Sequence, residues 1–176
     1  MGMKLSCIDC AVKNCDKMDK TFPEFCLTTN MDTNVLNEAM ELYSDEENHE
    51  VTVAAAMVET EYYCKMTRVE EIAEFAKRMG YKKIGIATCV GLLAEARTAA
   101  KIFRHKGAQP KAKGGIPKEC EKIGPNMCNP ILQAKILNQE QTDLNVVIGL
   151  CVGHDSMFYK YSEALCTTLV TKDRVL

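Results

Sequence analysis

A short apolar run that stops at a cysteine beside glycine occurs twice in this chain, and it restricts the fold more than any other feature. The first copy is Ile84-Gly85-Ile86-Ala87-Thr88-Cys89-Val90-Gly91-Leu92, followed by a helical pattern through Ala94, Glu95, Ala96 and Arg97. The second is Asn145-Val146-Val147-Ile148-Gly149-Leu150-Cys151-Val152-Gly153-His154-Asp155-Ser156. A strand buried on both faces reads as continuous Val, Ile and Leu, and it belongs in a parallel sheet between helices. The copies lie too far apart for a stacked solenoid repeat and suit two strand-helix units of one sheet. The expected class is therefore α/β: an open, mostly parallel sheet flanked by helices, Rossmann-like in layout.

In such a sheet, ligands and chemistry collect beyond the carboxyl ends of the strands. Cys89 and Cys151 would both stand there, near the start of the following helix. Helix-end N–H groups and the macrodipole favour the thiolate, which is the form that attacks or binds metal. Asn126-Met127-Cys128-Asn129-Pro130 adds a third such thiol, because Asn at the cap and Pro at the first helical position place Cys128 just before a helix. Cys89, Cys128 and Cys151, joined by His154 or Cys120, are the expected cofactor-binding set of a thiol-lined rim. Three thiolates from separate loops could hold a second metal or a cluster, with redox use open to it, and leave one position free for a ligand.

Two other readings compete for the same residues. Gly149-x-Cys151-x-Gly153 between a strand and a helix copies the elbow that exposes a nucleophile in hydrolase-like sheets, making Cys151 and His154 candidate catalytic residues. Its weakness is the base, since His154 sits only three positions along the turn and is poorly placed to share a proton with Cys151. Alternatively, the glycine-flanked turns merely approach a small anionic ligand. Gly149-x-x-x-Gly153 lacks the Gly-x-Gly-x-x-Gly order and a Walker lysine, so a nucleotide is weakly indicated.

The 176 residues can form one ordinary domain with a small appendage, and 47% hydrophobic content supports a core. A net charge of −2 and a pI near 6.0 give no reason to expect nucleic acid or an anionic membrane. No apolar run is long enough to span a bilayer, and Met1-Gly2-Met3-Lys4-Leu5-Ser6-Cys7 has no apolar signal region, so a soluble cytoplasmic protein is expected. Ten cysteines in a reducing compartment point to metal or thiol chemistry rather than a disulfide framework, although about half are expected to be inert packing residues.

Four of the ten lie early. Cys7, Cys10, Cys15 and Cys26 follow a C-x2-C-x4-C-x10-C spacing among residues too polar for a core. A metal is the natural substitute, because thiolates can fix a short chain that burial cannot. Zinc is the first candidate and an iron–sulfur cluster the second, since both take four thiolates. The expected organisation is a Cys-rich metal-binding module over 1–30 and a helical lead-in with an α/β domain over 31–176.

Within that body, helices are expected over Thr33–Tyr43 and Asp45–Tyr63, with Val35, Leu36, Ala39 and Met40 at helical spacing. His49 lies in an acidic polar stretch that suits a solvated side chain, and Cys64 suits packing. Thr67-Arg68-Val69-Glu70 is a capping box, and Gly80 is the stop of the helix it starts. The next helix is expected from Leu92 to His105, where the histidine serves as a helix-end cation. Residues 107–115 form a breaker-rich linker where a doubly wound unit would place a strand. Residues 116–123, with Cys120, make a short segment broken by Gly124-Pro125. Asp155 or Ser156 is expected to cap a last helix running through Leu165, with Cys166–Val170 as the final strand.

Met127-Cys128-Asn129-Pro130, Gly149-Leu150-Cys151-Val152-Gly153-His154-Asp155, Lys172-Asp173-Arg174 and the four early cysteines together resemble domain-of-unknown-function family 1847. For that family only metal binding through an N-terminal cysteine cluster is suggested. The resemblance implies a metal-binding N-terminus and an α/β body, without a reaction or catalytic residues. The chain departs from the family pattern at 107–115, which is contracted where relatives carry a strand and a further cysteine, and just after Arg174, where relatives continue.

Overall fold

The computed structural model describes residues 5–103, 117 and 128–175. Cys120, His105, the 107–115 linker and the proposed segment at 116–123, Pro117 apart, lie outside the described residues. The chain divides into two compact units, Met1–Thr52 and Val53–Leu176.

The first unit is held by local polar contacts. A 3-10 turn at Cys7–Asp9 is closed by the Asp9 carboxylate, which accepts from the Ser6 N–H at 2.8 Å. The Asn14 amide clamps a loop from both sides, accepting from the Lys20 N–H at 2.8 Å and donating to the Lys20 carbonyl at 2.6 Å. Helix α1, Thr33–Leu42, starts at Asp32, whose side chain accepts from the Asn34 N–H. Among the described residues of this unit only Asn14 and Cys26 are buried. The apolar spacing of Val35, Leu36 and Met40 produced the expected helix, yet α1 buries no residue.

Helix α2, Glu46–Tyr62, runs through the division between the units and buries Ala54 and Val58. In the second unit α3 spans Arg68–Arg78, with the Thr67–Glu70 capping box formed as its sequence demands. Gly80 follows with φ +68°, the left-handed stop that lets the chain turn into the sheet. Three strands follow in the order β1 (Ile84–Thr88), β2 (Leu144–Ile148) and β3 (Leu165–Val170), all parallel. Every residue of β1 and β2 is buried.

The side-chain alternation of the strands explains that burial. Ile84, Ile86, Leu144, Val146 and Ile148 face Ile72 and Ala76 of α3 and Ala96, Ala99 and Phe103 of α4 (Leu93–Phe103). Ala87 and Val147 face the other way, onto Ala134 and Leu137 of α5 (Pro130–Gln139) and Phe158 of α6 (His154–Tyr161). The result is a small three-strand parallel sheet with helices on both faces, as continuous apolar strands require. Among the described residues no helix is long and apolar enough to cross a membrane.

The last helix departs from expectation at both ends. Gly153, with φ +82°, caps α6, so the helix begins at His154 and Asp155 lies inside its first turn. The helix stops at Tyr161 rather than reaching Leu165. Asn138 captures the chain there, donating to the Tyr161 carbonyl at 2.9 Å and accepting from the Glu163 N–H at 3.0 Å, and Leu165 then enters β3.

Candidate functional site

The two cysteine turns come together because β1 and β2 are parallel neighbours in register, Thr88 beside Ile148. Cys89 leaves β1 and caps a 3-10 turn, Val90–Leu92, that leads into α4. Cys151 leaves β2 through Gly149, whose φ of +61° directs the chain across the sheet edge. A side chain at Gly149 would strike Leu92, since a Cβ there would lie 2.4 Å from Leu92 Cδ2. Glycine is therefore what allows the second cysteine turn to pack on the first. Cys128 arrives from a third direction, directly before Asn129, which caps α5 by accepting from the Leu132 N–H at 3.0 Å, with Pro130 at the first position.

The three sulfurs form one connected electrostatic cluster. Lys172 Nζ donates to Cys89 Sγ at 2.8 Å and also interacts electrostatically with Cys151. Arg174 donates to Cys151 Sγ at 2.7 Å. Cys89 and Cys128 influence each other electrostatically. The backbone reinforces this, with the Gly91 N–H directed at the Cys89 sulfur and the Val90 N–H at that of Cys128. Cys89 is buried, while Cys128, Cys151 and Lys172 are half-buried and Arg174 is exposed.

These neighbours move the thiols in opposite directions. Burial alone would raise Cys89, but the Lys172 ammonium, the Gly91 N–H and the Cys128 thiol outweigh it and hold it below the ordinary thiol range. Burial pushes Cys128 up, and the nearby negative charges of Cys89 and Cys151 add to the rise. Lys172 is the reciprocal partner: burial would lower it, but bonding to Cys89 and the charge of Cys151 raise it. Cys89, bonded to Lys172, is thus the more readily ionised of the two thiols and Cys128 the less readily.

Among the described residues two buried side-chain nitrogens lack a hydrogen-bond partner. Gln133, fully buried on α5, accepts from the Thr88 N–H at 3.0 Å and so anchors the end of β1 one residue before Cys89, but its Nε2 has no hydrogen-bond partner among the described residues. The His154 backbone N–H donates to the Cys151 carbonyl at 2.9 Å, and its buried Nδ1 is likewise unpartnered among the described residues. Behind Lys172 a small cavity of about 140 Å³ is lined in part by Leu150, Asp155, Tyr159, Thr168 and Thr171.

The sequence reading did not assign Lys172, Arg174 or Gln133 to this site. Lys172 and Arg174 carried a usable signal, because residues two apart beyond a strand end can project to one side. Gln133 carried only its polarity on an otherwise apolar helix face.

The early cysteines are arranged more loosely. Cys7 and Cys15 are exposed, Cys10 is half-buried and Cys26 is buried. Cys15 Sγ lies 3.8 Å from the Thr28 hydroxyl, and the Thr29 and Thr28 N–H groups and both hydroxyls lower the Cys26 thiol. Among the described residues no three His, Cys, Asp or Glu side chains surround one point closely enough to hold a metal ion. At the rim Cys89 and Cys151 turn toward Lys172 and Arg174 instead of toward a common centre. The other described cysteines, Cys64 and Cys166, are also free, and burial pushes Cys166 up.

The profile of a family described as "Protein of unknown function (DUF1847)" matches residues 26–169, which include all three rim cysteines. The chain belongs to that family. It is also similar to "Uncharacterized protein MJ0455" of Methanocaldococcus jannaschii, with 47% identity over 152 residues, covering 81% of this chain and 79% of the relative. Cys7, Cys10, Cys15, Lys172 and Arg174 fall outside the stretch matched to the family. No solved structure matches the chain.

Proposed function

We propose that the protein binds a thiophilic metal centre, zinc or an iron–sulfur cluster, through Cys89, Cys128 and Cys151 at the carboxyl end of the sheet. The observation that carries this reading is the meeting of three chain-distant thiols with N–H and cationic donors aimed at their sulfurs. Thiolate ligands need such donors, because hydrogen bonds to sulfur offset the negative charge that several thiolates bring to one place and tune the centre they hold. The donor set fits a soft metal and leaves one position open. Loading would require Cys89 and Cys151 to swing from Lys172 and Arg174, which would remain as compensating charges. When bound, the centre would supply Lewis acidity if zinc, or electron transfer if a cluster. Lys172 and Arg174 beside the sulfurs would favour a small anionic ligand at the open position.

The same proposal extends to Cys7, Cys10, Cys15 and Cys26 as a structural site. The first unit buries only Asn14 and Cys26 among its described residues, so hydrophobic burial contributes little to its order. The N–H groups directed at Cys26 suit a metal-bound thiolate.

Metal analysis and absorbance of anaerobically purified protein test both sites. Wild-type protein is expected to carry metal at both sites, and the Cys89→Ser/Cys151→Ser variant to lose the rim share alone. Full retention of metal in that variant would refute the rim site. A nucleophilic role for Cys151 has less support, because the hydrogen bond to its sulfur comes from Arg174 at 2.7 Å, which cannot serve as a general base.

A further inference from the structure

We propose that the cavity between α6 and the ends of β2 and β3 binds a small zwitterionic amino acid, its ammonium on Asp155 and its carboxylate on Lys172. This goes beyond metal binding and does not depend on it, because none of the three rim cysteines lines the cavity. The volume of about 140 Å³ is close to the roughly 150 Å³ of an apolar protein cavity that holds benzene, so a ligand of about six heavy atoms fits. Alanine has that size.

The fold brings opposite charges to this one space without letting them neutralise each other. Asp155 and Tyr159 are four residues apart on α6 and so share the helix face that lines the cavity. Lys172 reaches it from beyond the end of β3. Among the described residues Asp155 forms no ion pair, with Lys172 or with any other cation. Its Oδ1 accepts from the Ser156 N–H at 2.7 Å, which leaves the second oxygen for a ligand. Lys172 gives one N–H to Cys89, and an ammonium carries three. Both residues are half-buried, and partly desolvated charges are costly without partners; a zwitterion seated between them supplies both partners at once. Val147 and Leu150, 1% and 5% exposed, form an apolar wall that suits a short aliphatic side chain. The hydroxyls of Tyr159 and Thr168 bond to each other and tie α6 to β3 at the cavity. The strand ladder is also irregular there: Val147 pairs with Thr168 and Ile148 with Val170, so Leu169 is passed over. Irregularities of that kind interrupt a ladder and re-aim side chains beside binding sites.

L-alanine is the probe, with propionate and ethylamine as its two singly charged halves. Each is titrated into the full-length chain by calorimetry and followed through backbone amide resonances. Alanine is expected to bind about tenfold or more tightly than either half, because each half forgoes one charge-assisted hydrogen bond. The resonances that move should include Tyr159 and Thr168. Asp155→Asn keeps the oxygen that accepts from the Ser156 N–H, so the start of α6 is retained. It should weaken alanine to the level of propionate and leave propionate unchanged. The wild-type comparison requires no variant to fold. Propionate binding as tightly as alanine, undiminished alanine binding in Asp155→Asn, shifts confined to residues away from the cavity, or no binding of alanine would each overturn the proposal. Metal content is measured apart from these titrations, so either reading can fail alone.

Discussion

Replacing Gly149 by alanine should separate the two cysteine turns that the account requires to be in contact. Two costs add. Gly149 has φ +61°, where an L-residue loses about 1–2 kcal/mol. The new Cβ would also lie 2.4 Å from Leu92 Cδ2 and 3.0 Å from Leu92 Cγ. Overpacking of that kind costs about 1–3 kcal/mol. The expected loss is thus about 2–5 kcal/mol, which at a urea m-value of about 2 kcal/mol per molar lowers the unfolding midpoint by about 1–2.5 M. Gly153→Ala is the control. Its φ of +82° also strains an alanine, but nothing lies within 4 Å of the added Cβ. Shortening Leu92 in a Gly149→Ala/Leu92→Ala double variant should recover the contact part, giving a favourable coupling of about 1–3 kcal/mol. Urea unfolding of wild type, Gly149→Ala, Gly153→Ala, Leu92→Ala and the double variant measures these differences. An alanine at 149 no worse than one at 153, with no coupling to Leu92, would refute the reasoning.

Three further outcomes follow from named groups. In metal-stripped protein Cys89 should ionise at lower pH than Cys128, since their thiols are shifted in opposite directions; unfolding the chain should erase that order when the thiolates are followed residue by residue. Glu61 and Glu74, held below the ordinary carboxylate range at Arg78, contribute stability that is complete above the unfolded carboxylate pKa and is lost as pH falls through their folded values; for Glu74 burial opposes the lowering by Lys77 and Arg78. Arg78→Met should therefore flatten the acid side of a stability-against-pH curve measured by thermal unfolding. Asn145→Ala should cost about 2–4 kcal/mol in denaturant unfolding, because it removes a fully buried amide bonded to Thr142 and Ser162 and leaves a void beneath Gly85.

Much of the body was legible because its signals are local. The Thr67–Glu70 box, Gly80, and Asn129-Pro130 each satisfy backbone groups within one turn, so their residue types reveal their positions. The two apolar strands were equally plain, since burial on both faces removes alternation. Tertiary capture was not legible: Asn138 ends α6 from another helix, and no pattern near Tyr161 announces it. Cys89 and Cys151 could be placed at one edge by topology alone, because both strands of a parallel pair end there. Their partners could not, since Lys172 and Arg174 reach Cys89 and Cys151 from beyond β3. The helical spacing on α1 revealed an element but not its burial, which depends on a partner surface rather than on the helix itself.

Cobalt titration of the reduced, metal-stripped chain tests the shared thiol site most directly, because thiolate-to-cobalt absorption reports bound sulfur. The account predicts that Cys89→Ser, Cys128→Ser and Cys151→Ser each weaken the same absorbing component, while Cys64→Ser leaves it unchanged. A spectrum indifferent to all three rim substitutions would contradict the account.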